Sequence, residues 1–172
     1  MEVIRNMEPS DDFLQRVRKL ASNKDIVLIF DECTSGFREC FGGLHKKYEV
    51  YPDIAVYGKT LGNGYAVSAV VGREEIMQSA QSTFISSTFW TERLGSAAAL
   101  KALEVMEQVK PWETAIEIGL SVQQIWKETA EANGLKISVS GLPALSSYSF
   151  QSTDNLAYKT LITQEFLKRG YL

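Results

Sequence analysis

The sequence predicts an α/β fold, in which a sheet with parallel strands is followed by a smaller α+β unit. Residues 26–30 (Ile-Val-Leu-Ile-Phe) are consecutive apolar residues, a pattern typical of a parallel strand buried on both faces. Strand-like and helix-like segments then alternate, which favours an α/β architecture. A break at Lys110-Pro111 indicates a boundary between residues 1–110 and residues 111–172.

The first predicted element is a helix that begins beside two aspartates, with Ser10 as its N-cap. Phe13, Val17 and Leu20 form its expected apolar stripe. The other elements follow from apolar periodicity and from turn residues. They are strands at 26–30, 54–57, 66–71, 135–140 and 144–150, and helices at 73–80, 91–109, 112–133 and 155–169.

Composition limits the functional class. A chain of 172 residues is long enough for one ordinary domain, and its 45% hydrophobic content allows a sizeable core. The net charge of -3 argues against a nucleic-acid partner, and no apolar stretch is long enough to span a membrane. Two cysteines, Cys33 and Cys40, predict neither a metal site nor a disulfide framework, so a cytoplasmic location is expected.

The candidate site residues follow two of the predicted strands. Asp31 closes the apolar run 26–30, and Lys59 lies just after the strand 54–57. In an open α/β sheet, residues past the strand ends line the ligand crevice. A carboxylate and an amine in one crevice suit pyridoxal phosphate, because a lysine forms its Schiff base and an acid pairs with its pyridinium nitrogen.

Four segments extend this interpretation to a family. Read together, they resemble class III aminotransferases, enzymes with the fold-type-I architecture of pyridoxal-phosphate-dependent transferases. Gly36-Phe37-Arg38 is similar to the branch that contains glutamate-1-semialdehyde aminomutases. The resemblance is strong over about residues 1–110 and looser beyond. The segments are 28–38 (Leu-Ile-Phe-Asp-Glu-Cys-Thr-Ser-Gly-Phe-Arg), 51–64 (Tyr-Pro-Asp-Ile-Ala-Val-Tyr-Gly-Lys-Thr-Leu-Gly-Asn-Gly), 69–73 (Ala-Val-Val-Gly-Arg) and 86–92 (Ser-Ser-Thr-Phe-Trp-Thr-Glu).

The resemblance implies a role for each matching residue. Asp31 would keep the pyridine nitrogen protonated, since a nearby carboxylate favours the charged form of that nitrogen. Lys59 would carry the cofactor covalently and, once freed by the substrate amine, would move the proton at Cα. Thr88 would bind the cofactor phosphate, usually that of a neighbouring subunit, with Ser87 as a weaker companion.

Two positions depart from the common family pattern. Cys33 stands where a valine usually packs against the cofactor ring, and Thr34 stands where many members have a glutamine that reaches the ring hydroxyl. Because Thr34 is shorter, that contact would be lost or made through water. The resemblance further implies an amino donor, a keto or aldehyde acceptor and a homodimer, with no metal; 2,1-aminomutase activity is the alternative.

Length also separates the chain from the family. Members are far longer, and the upstream phosphate loop, the ring-stacking aromatic residue and the end of the C-terminal domain have no counterpart in this sequence. We therefore expect an internal fragment of a large domain (1–110) and a small domain (111–172). Such a fragment would self-associate through uncovered apolar faces and would be inactive or nearly so.

Two alternatives come from other functional classes. A P-loop NTPase is suggested by the apolar run before Asp31-Glu32 and by Gly58-Lys59-Thr60, but Asp53 occupies the position where the phosphate loop needs a glycine. A non-catalytic interaction module that keeps the fold is the other. Glu32 is expected to be a structural hydrogen-bond partner, and His45, the only histidine, a solvated surface residue.

Overall fold

A computed structural model describes residues 8–86 and 88–171 of the chain. Contacts between Cα atoms divide the chain into two units, Met1–Ile116 and Glu117–Leu172. This division falls inside a continuous helix, six residues beyond the predicted boundary at Lys110-Pro111. The assignment of these units to a large and a small domain remains a prediction.

The predicted helices and strands of the first unit are present, with shorter bounds in most cases. The strand predicted over 26–30 is formed at its end, and the helix predicted over 73–80 continues as a 3-10 turn after its first four residues. The elements are α1 (Phe13–Asn23), β1 (Ile29–Asp31), β2 (Ile54–Tyr57), β3 (Ala69–Gly72), α2 (Glu74–Met77), α3 (Leu94–Val109) and the start of α4 (Pro111–Ala132), with 3-10 turns at Leu44–Lys46 and Gln78–Ser82.

Helix α1 differs from its prediction at its start and on its buried face. It begins after both aspartates, and Ser10 contributes its backbone carbonyl to the N–H of Phe13 at 2.9 Å instead of a side-chain cap. The predicted stripe was wrong, because Phe13 and Leu20 are exposed while Leu14 and Ala21 are buried. A helix face can shift by one residue while keeping the same apolar period, so the sequence alone did not fix it.

The three strands form a mixed sheet in the order β1-β2-β3. Strands β1 and β2 are parallel, with Asp31 opposite Val56, which confirms the parallel pairing expected from the apolar run. Strand β3 is antiparallel to β2 and places Gly72 opposite Ile54. The C-terminal ends of β1 and β2 therefore lie at one edge of the sheet, and the end of β3 lies at the opposite edge.

The prediction that residues 26–30 are buried on both faces was wrong for this chain. Phe30 is 6% exposed, but its neighbour Ile29 is 54% exposed, as are Ile26 and Val27 to similar extents. Within the part of the chain that the structure describes, no strand pairs with the outer side of β1. A continuous apolar sequence indicates a strand that can be buried on both faces, but it does not identify the segment that packs on the second face.

Two apolar clusters hold the first unit together. One joins Leu14 of α1 to Phe30 and Val50, so α1 packs against the buried side of β1. The other combines Phe37 and Leu61 with buried residues of α3 and includes Tyr57 at its margin. The loops that follow β1 and β2 are thus anchored by buried side chains immediately beyond the strand ends.

The edge of the sheet where β1 and β2 begin is held by a buried carboxylate. Asp53 Oδ2 accepts hydrogen bonds from the N–H of Leu28 at 2.7 Å and from Arg18 at 2.8 Å, while Oδ1 accepts one from Arg73 at 3.2 Å. Burial alone would raise the pKa of Asp53, but the hydrogen bond from Leu28 and those from the two arginines outweigh it and lower the pKa. One side chain thereby ties together α1 and all three strands.

The second unit contains the rest of α4, a two-stranded antiparallel sheet and the last helix. The sheet pairs β4 (Ile137–Ser140) with β5 (Ser147–Phe150), across the 3-10 turn Pro143–Leu145. Aromatic rings extend from Trp126 through Tyr148 and Phe150 to Tyr158 of α5 (Asn155–Lys168), with adjacent centroids 4.9–5.7 Å apart. Among the described helices of both units, none combines the length and apolarity needed to cross a bilayer.

Candidate functional site

Asp31 lies at the end of β1 with its side chain exposed. Its Oδ1 accepts a hydrogen bond from the N–H of Cys33 at 3.0 Å, which orients the carboxylate. Within residues 8–86 and 88–171, the other oxygen, Oδ2, has no hydrogen-bond partner. The strand end therefore presents one positioned carboxylate oxygen that can accept a further donor.

Lys59 lies two residues past the end of β2, which runs parallel to β1. Its side chain is exposed and, in the described part of the chain, forms no ion pair and no hydrogen bond. Its φ is 20°, a value that residues with a Cβ seldom adopt and that often marks a functional position. Lys59 is three residues after Val56, the partner of Asp31 in the last β1–β2 pair. Three residues span at most about 11 Å, so Lys59 lies near the end of this pair.

Cys33 links the loop after β1 to the loop after β2. Its thiol is half-buried and packs directly on Gly58, the residue before Lys59, where any Cβ would overlap the sulfur. The close approach of these two loops explains why a glycine precedes the lysine. Cys33 is therefore beside the candidate site, and its predicted contact with a cofactor ring remains a prediction.

Tyr57, the last residue of β2, packs against Phe37 with ring centroids 5.4 Å apart. Burial, with smaller contributions from Glu32 and Cys40, raises the pKa of Tyr57 to about 12. The phenol is thus neutral at physiological pH.

Glu32 and Thr34 point away from solvent. Thr34 is 5% exposed, and its carbonyl accepts a hydrogen bond from Arg38 at 3.2 Å. Unlike Asp31, Thr34 is therefore buried in this chain, and its contact with a cofactor remains a prediction. Glu32 is 0% exposed and hydrogen-bonded throughout, which confirms the structural role expected for it.

The prediction that His45 is a solvated surface residue was wrong. His45 is 8% exposed, and its Nδ1 lies 2.6 Å from Oε1 of Glu32. Its polar neighbours Lys46 and Lys47 suggested a surface position, but the 3-10 turn Leu44–Lys46 directs the imidazole inward. The partner of His45 is 13 residues away in sequence, and no local pattern announces it.

Thr88 is exposed in the segment between α2 and α3, and within the described residues no hydrogen bond joins it to Asp31 or Lys59. Ser87 lies outside the described residues. The structure therefore brings together Asp31, Cys33 and Lys59, whereas the phosphate-binding prediction for Ser87 and Thr88 remains a prediction.

A groove of about 460 Å³ lies next to Lys59, between the loop that begins at Thr60 and the helix α3. Thr60 Oγ1 is buried there and has no hydrogen-bond partner in the described part of the chain. Asp31 and Lys59 do not line this groove, so it is separate from the candidate site. Sequence reasoning did not identify this groove.

Comparison with known families gives one match over nearly the entire chain. The sequence pattern described as aminotransferase class-III matches residues 6–172. This match includes the segments around Asp31, Lys59 and Thr88 and extends through the second unit.

Individual relatives agree with this match. The chain is 35% identical over 159 residues to a 3-aminobutyryl-CoA aminotransferase of Cloacimonas acidaminovorans, covering 92% of this chain and 38% of that protein. It is 28% identical over 166 residues to a glutamate-1-semialdehyde 2,1-aminomutase of a Sulfurihydrogenibium species, covering 93% and 39%. The chain thus spans well under half the length of these curated relatives.

Solved structures show the same fold. An omega-transaminase from Sphaerobacter thermophilus superposes with a TM-score of 0.84 at 24% identity, over 97% of this chain and 42% of that chain. An ornithine aminotransferase from Plasmodium yoelii superposes with a TM-score of 0.71 at 26% identity, over 84% and 39%. The fold class expected from the sequence, that of the pyridoxal-phosphate-dependent transferases, is confirmed.

Proposed function

Because the chain belongs to the class III aminotransferase family, we propose that the protein carrying it transfers an amino group between an amino compound and a keto or aldehyde acceptor, with pyridoxal phosphate as cofactor. One observation of the structure carries the proposal. Asp31 and Lys59 follow adjacent parallel strands at the same edge of the sheet, both exposed and both with a functional group available for a ligand. The NTPase alternative has no support in the family match.

The available groups fit the cofactor chemically. Asp31 Oδ2 is an oriented carboxylate oxygen suited to a protonated ring nitrogen, and Lys59 Nζ is an amine suited to an aldehyde. The cofactor would supply the aldehyde for covalent attachment and the electron-withdrawing ring that stabilises negative charge at the substrate Cα. By the family resemblance, Cys33 would pack against the ring, and the contact that Thr34 would make with the ring hydroxyl would be lost or made through water.

The proposed roles of the protein groups are those that the family resemblance implies, and the positions of Asp31 and Lys59 support them. Asp31 would hold the proton on the ring nitrogen through Oδ2, while the N–H of Cys33 orients the carboxylate through Oδ1. Lys59 would hold the cofactor through Nζ, and its free amine would move the substrate Cα proton.

Assembly is part of the proposal. Thr88 and Ser87 are proposed to bind the cofactor phosphate of a second subunit in a homodimer, which is compatible with the exposed side chain of Thr88. We also propose a cytoplasmic location without a nucleic-acid partner, supported by two unpaired cysteines and the net negative charge. Sedimentation velocity over a range of concentrations tests the dimer.

A 2,1-aminomutase activity is the second candidate, supported by the aminomutase relatives and by the Gly36-Phe37-Arg38 segment. An aminomutase rearranges glutamate-1-semialdehyde without any keto acceptor, whereas a transaminase needs one. Incubation with that substrate, with and without an added keto acid, separates the two activities by product analysis.

The direct test of the cofactor site is a chemical trap. The purified protein is mixed with pyridoxal phosphate, its absorbance spectrum is recorded, and borohydride reduction is followed by peptide mapping. We expect one reduced pyridoxyl adduct, on Lys59, and its loss in Lys59→Ala. Lys24→Ala is the matched control, because Lys24 is also exposed and lies at the end of α1, far from the strand ends.

Labelling spread over many lysines and unchanged in Lys59→Ala would contradict the proposed site. That outcome would favour the non-catalytic interaction module. Specific labelling without turnover would support the cofactor site and would show that this chain needs further segments for activity.

A further inference from the structure

The buried carboxylate of Glu32 is the most densely hydrogen-bonded side chain next to the proposed cofactor site. Oε1 accepts hydrogen bonds from the N–H of His45 at 3.1 Å and from its Nδ1 at 2.6 Å. Oε2 accepts one from the N–H of Leu44 and a longer one from Ser35 Oγ at 3.4 Å. A carboxylate with no solvent contact needs such donors, because burial without them is strongly unfavourable.

His45 is held in one orientation. Its ring lies edge-on to Tyr51, with centroids 5.8 Å apart, and tilted against Phe30 at 6.4 Å. With a carboxylate as its neighbour, Nδ1 carries the donated proton. The imidazole therefore closes the loop from Asp31 to His45 by pinning its far end to Glu32, the second residue of that loop.

This closure acts directly on Asp31. Glu32 follows Asp31 in the chain, and its N–H donates to the carbonyl of Val56 at 2.9 Å, which continues the β1–β2 pairing. Its carbonyl accepts the N–H of Gly36 at 2.8 Å, which shapes the turn that contains Cys33. The N–H of Cys33 is the group that orients the Asp31 carboxylate.

We propose that Glu32 and His45 are positioning residues: their buried pair holds the turn after β1 so that the Cys33 amide aims Asp31 at the cofactor's ring nitrogen. Neither side chain reaches the cofactor. This inference rests on the proposed function for its chemical consequence, while the orientation of Asp31 by the pair can be measured without any cofactor.

The test compares three variants in the purified protein. His45→Leu replaces the imidazole, and with it the Nδ1 donor, by an apolar side chain, whereas His45→Asn keeps a donor near the position of Nδ1. Asp53→Asn is the matched control, because Asp53 is also a buried, multiply hydrogen-bonded carboxylate but lies at the opposite edge of the sheet. Chemical denaturation first ranks the three variants by stability.

The first readout is amide hydrogen exchange without cofactor. We expect His45→Leu to speed exchange at Cys33 and Gly36 by about tenfold or more relative to its global loss of stability, and His45→Asn to restore most of the protection. Asp53→Asn is expected to leave these two amides no faster than its stability predicts. Equal acceleration in His45→Leu and Asp53→Asn would overturn the positioning role.

The second readout is the binding of pyridoxal phosphate and the pH dependence of its absorbance. His45→Leu is expected to weaken binding about tenfold, the size typical when the partner of a ligand side chain is lost, and to shift the pH midpoint of the bound spectrum. His45→Asn should recover binding to within about threefold. Binding and spectrum that follow stability alone in all three variants would also overturn the proposal.

A fourth variant covers the case in which His45→Leu does not fold. Glu32→Gln keeps the shape and one acceptor oxygen, so an intermediate acceleration of exchange at Cys33 is expected, and unchanged exchange would contradict the proposal. If the unaltered protein does not trap pyridoxal phosphate on Lys59, the proposed function fails, and the exchange data still decide whether the pair orients Asp31.

Discussion

Both edges of the three-stranded sheet carry an aspartate and basic residues, but these residues are buried or paired at one edge and exposed and unpaired at the other. At the edge where β1 and β2 begin, Asp53 is buried and paired with Arg18 and Arg73. At the edge where they end, Asp31 and Lys59 are exposed, and neither has an ion-pair partner among the described residues. The fold satisfies its charges at the first edge and leaves them available for a ligand at the second.

The comparison also separates two uses of a carboxylate. Both carboxylate oxygens of Asp53 accept hydrogen bonds from other groups of the protein, so its substitution should lower stability. Asp31 uses one oxygen on Cys33 and keeps the other available, so its removal should affect binding and chemistry. Four substitutions or conditions test this division, beginning with the largest expected effect.

Asp31→Asn should weaken cofactor binding by this chain, and lower the transaminase turnover of the protein carrying it, by about 10- to 100-fold, because a hydrogen bond to a charged group is lost. Its free energy of unfolding should change by less than about 0.5 kcal/mol, as is usual for an exposed position. Steady-state kinetics and urea denaturation measure the two quantities. A large loss of stability with intact turnover would break the comparison.

Asp53→Asn should show the converse pattern. We expect a loss of about 2 kcal/mol in the free energy of unfolding, since the bonds from Leu28, Arg18 and Arg73 lose their charged acceptor. The value stays below that of a fully buried pair because Arg73 is 60% exposed and screened by solvent. Cofactor affinity should be unchanged, and a tenfold weakening would contradict the separation of the edges.

Gly58→Ala tests the contact between the two loops at the ligand edge. A Cβ at this position overlaps Cys33 Sγ, so a loss of about 1–2 kcal/mol is expected from overpacking. Cys33→Ala in the same protein should recover most of this loss because it removes the sulfur. Thermal unfolding of both single variants and of the double variant measures the coupling. Additive effects would show that the loops do not press on each other here.

The smallest expected effect is the pH dependence of the stability that Asp53 contributes. Its pKa is lowered in the folded protein, so its stabilising contribution is present above the unfolded value of about 4 and is lost as the pH falls through the folded value. The stability difference between wild type and Asp53→Asn should therefore be constant near neutral pH and shrink below about pH 4. Denaturation at pH 7 and pH 3 measures it, and a difference that grows on acidification would contradict the assignment.

Short-range patterns predicted that Asp31 and Lys59 follow strands that end on the same side of the sheet. Asp31 and Lys59 each follow a strand directly, and parallel pairing is enough to place both at one edge. The pattern around Asp31 and Lys59 also carried the family resemblance, which the match over residues 6–172 confirms. These features depend on neighbours within a few positions.

Features that depend on distant partners could not be predicted in this way. The buried environment of His45 is created by Glu32, 13 positions away, and the ion pair between Arg18 and Asp53 joins residues 35 positions apart. Likewise, Leu14 rather than Phe13 faces the core because Phe30 and Val50 lie on that side of α1. Apolar periodicity and local polarity are properties of a short segment, whereas the residues that pack against it are determined by the folded structure.

The open side of β1 has a consequence for the rates at which its amide protons exchange with solvent. Because the N–H of Glu32 donates to β2, the two-residue alternation of a strand turns the N–H groups of Ile29 and Asp31 outward. In a hydrogen–deuterium exchange experiment, the amide protons of Phe30 and Glu32 should then exchange far more slowly than those of Ile29 and Asp31. If another strand pairs with the outer side of β1, the difference between alternate residues disappears. The exchange rates of these four neighbouring amides therefore report whether the outer side of β1 is paired.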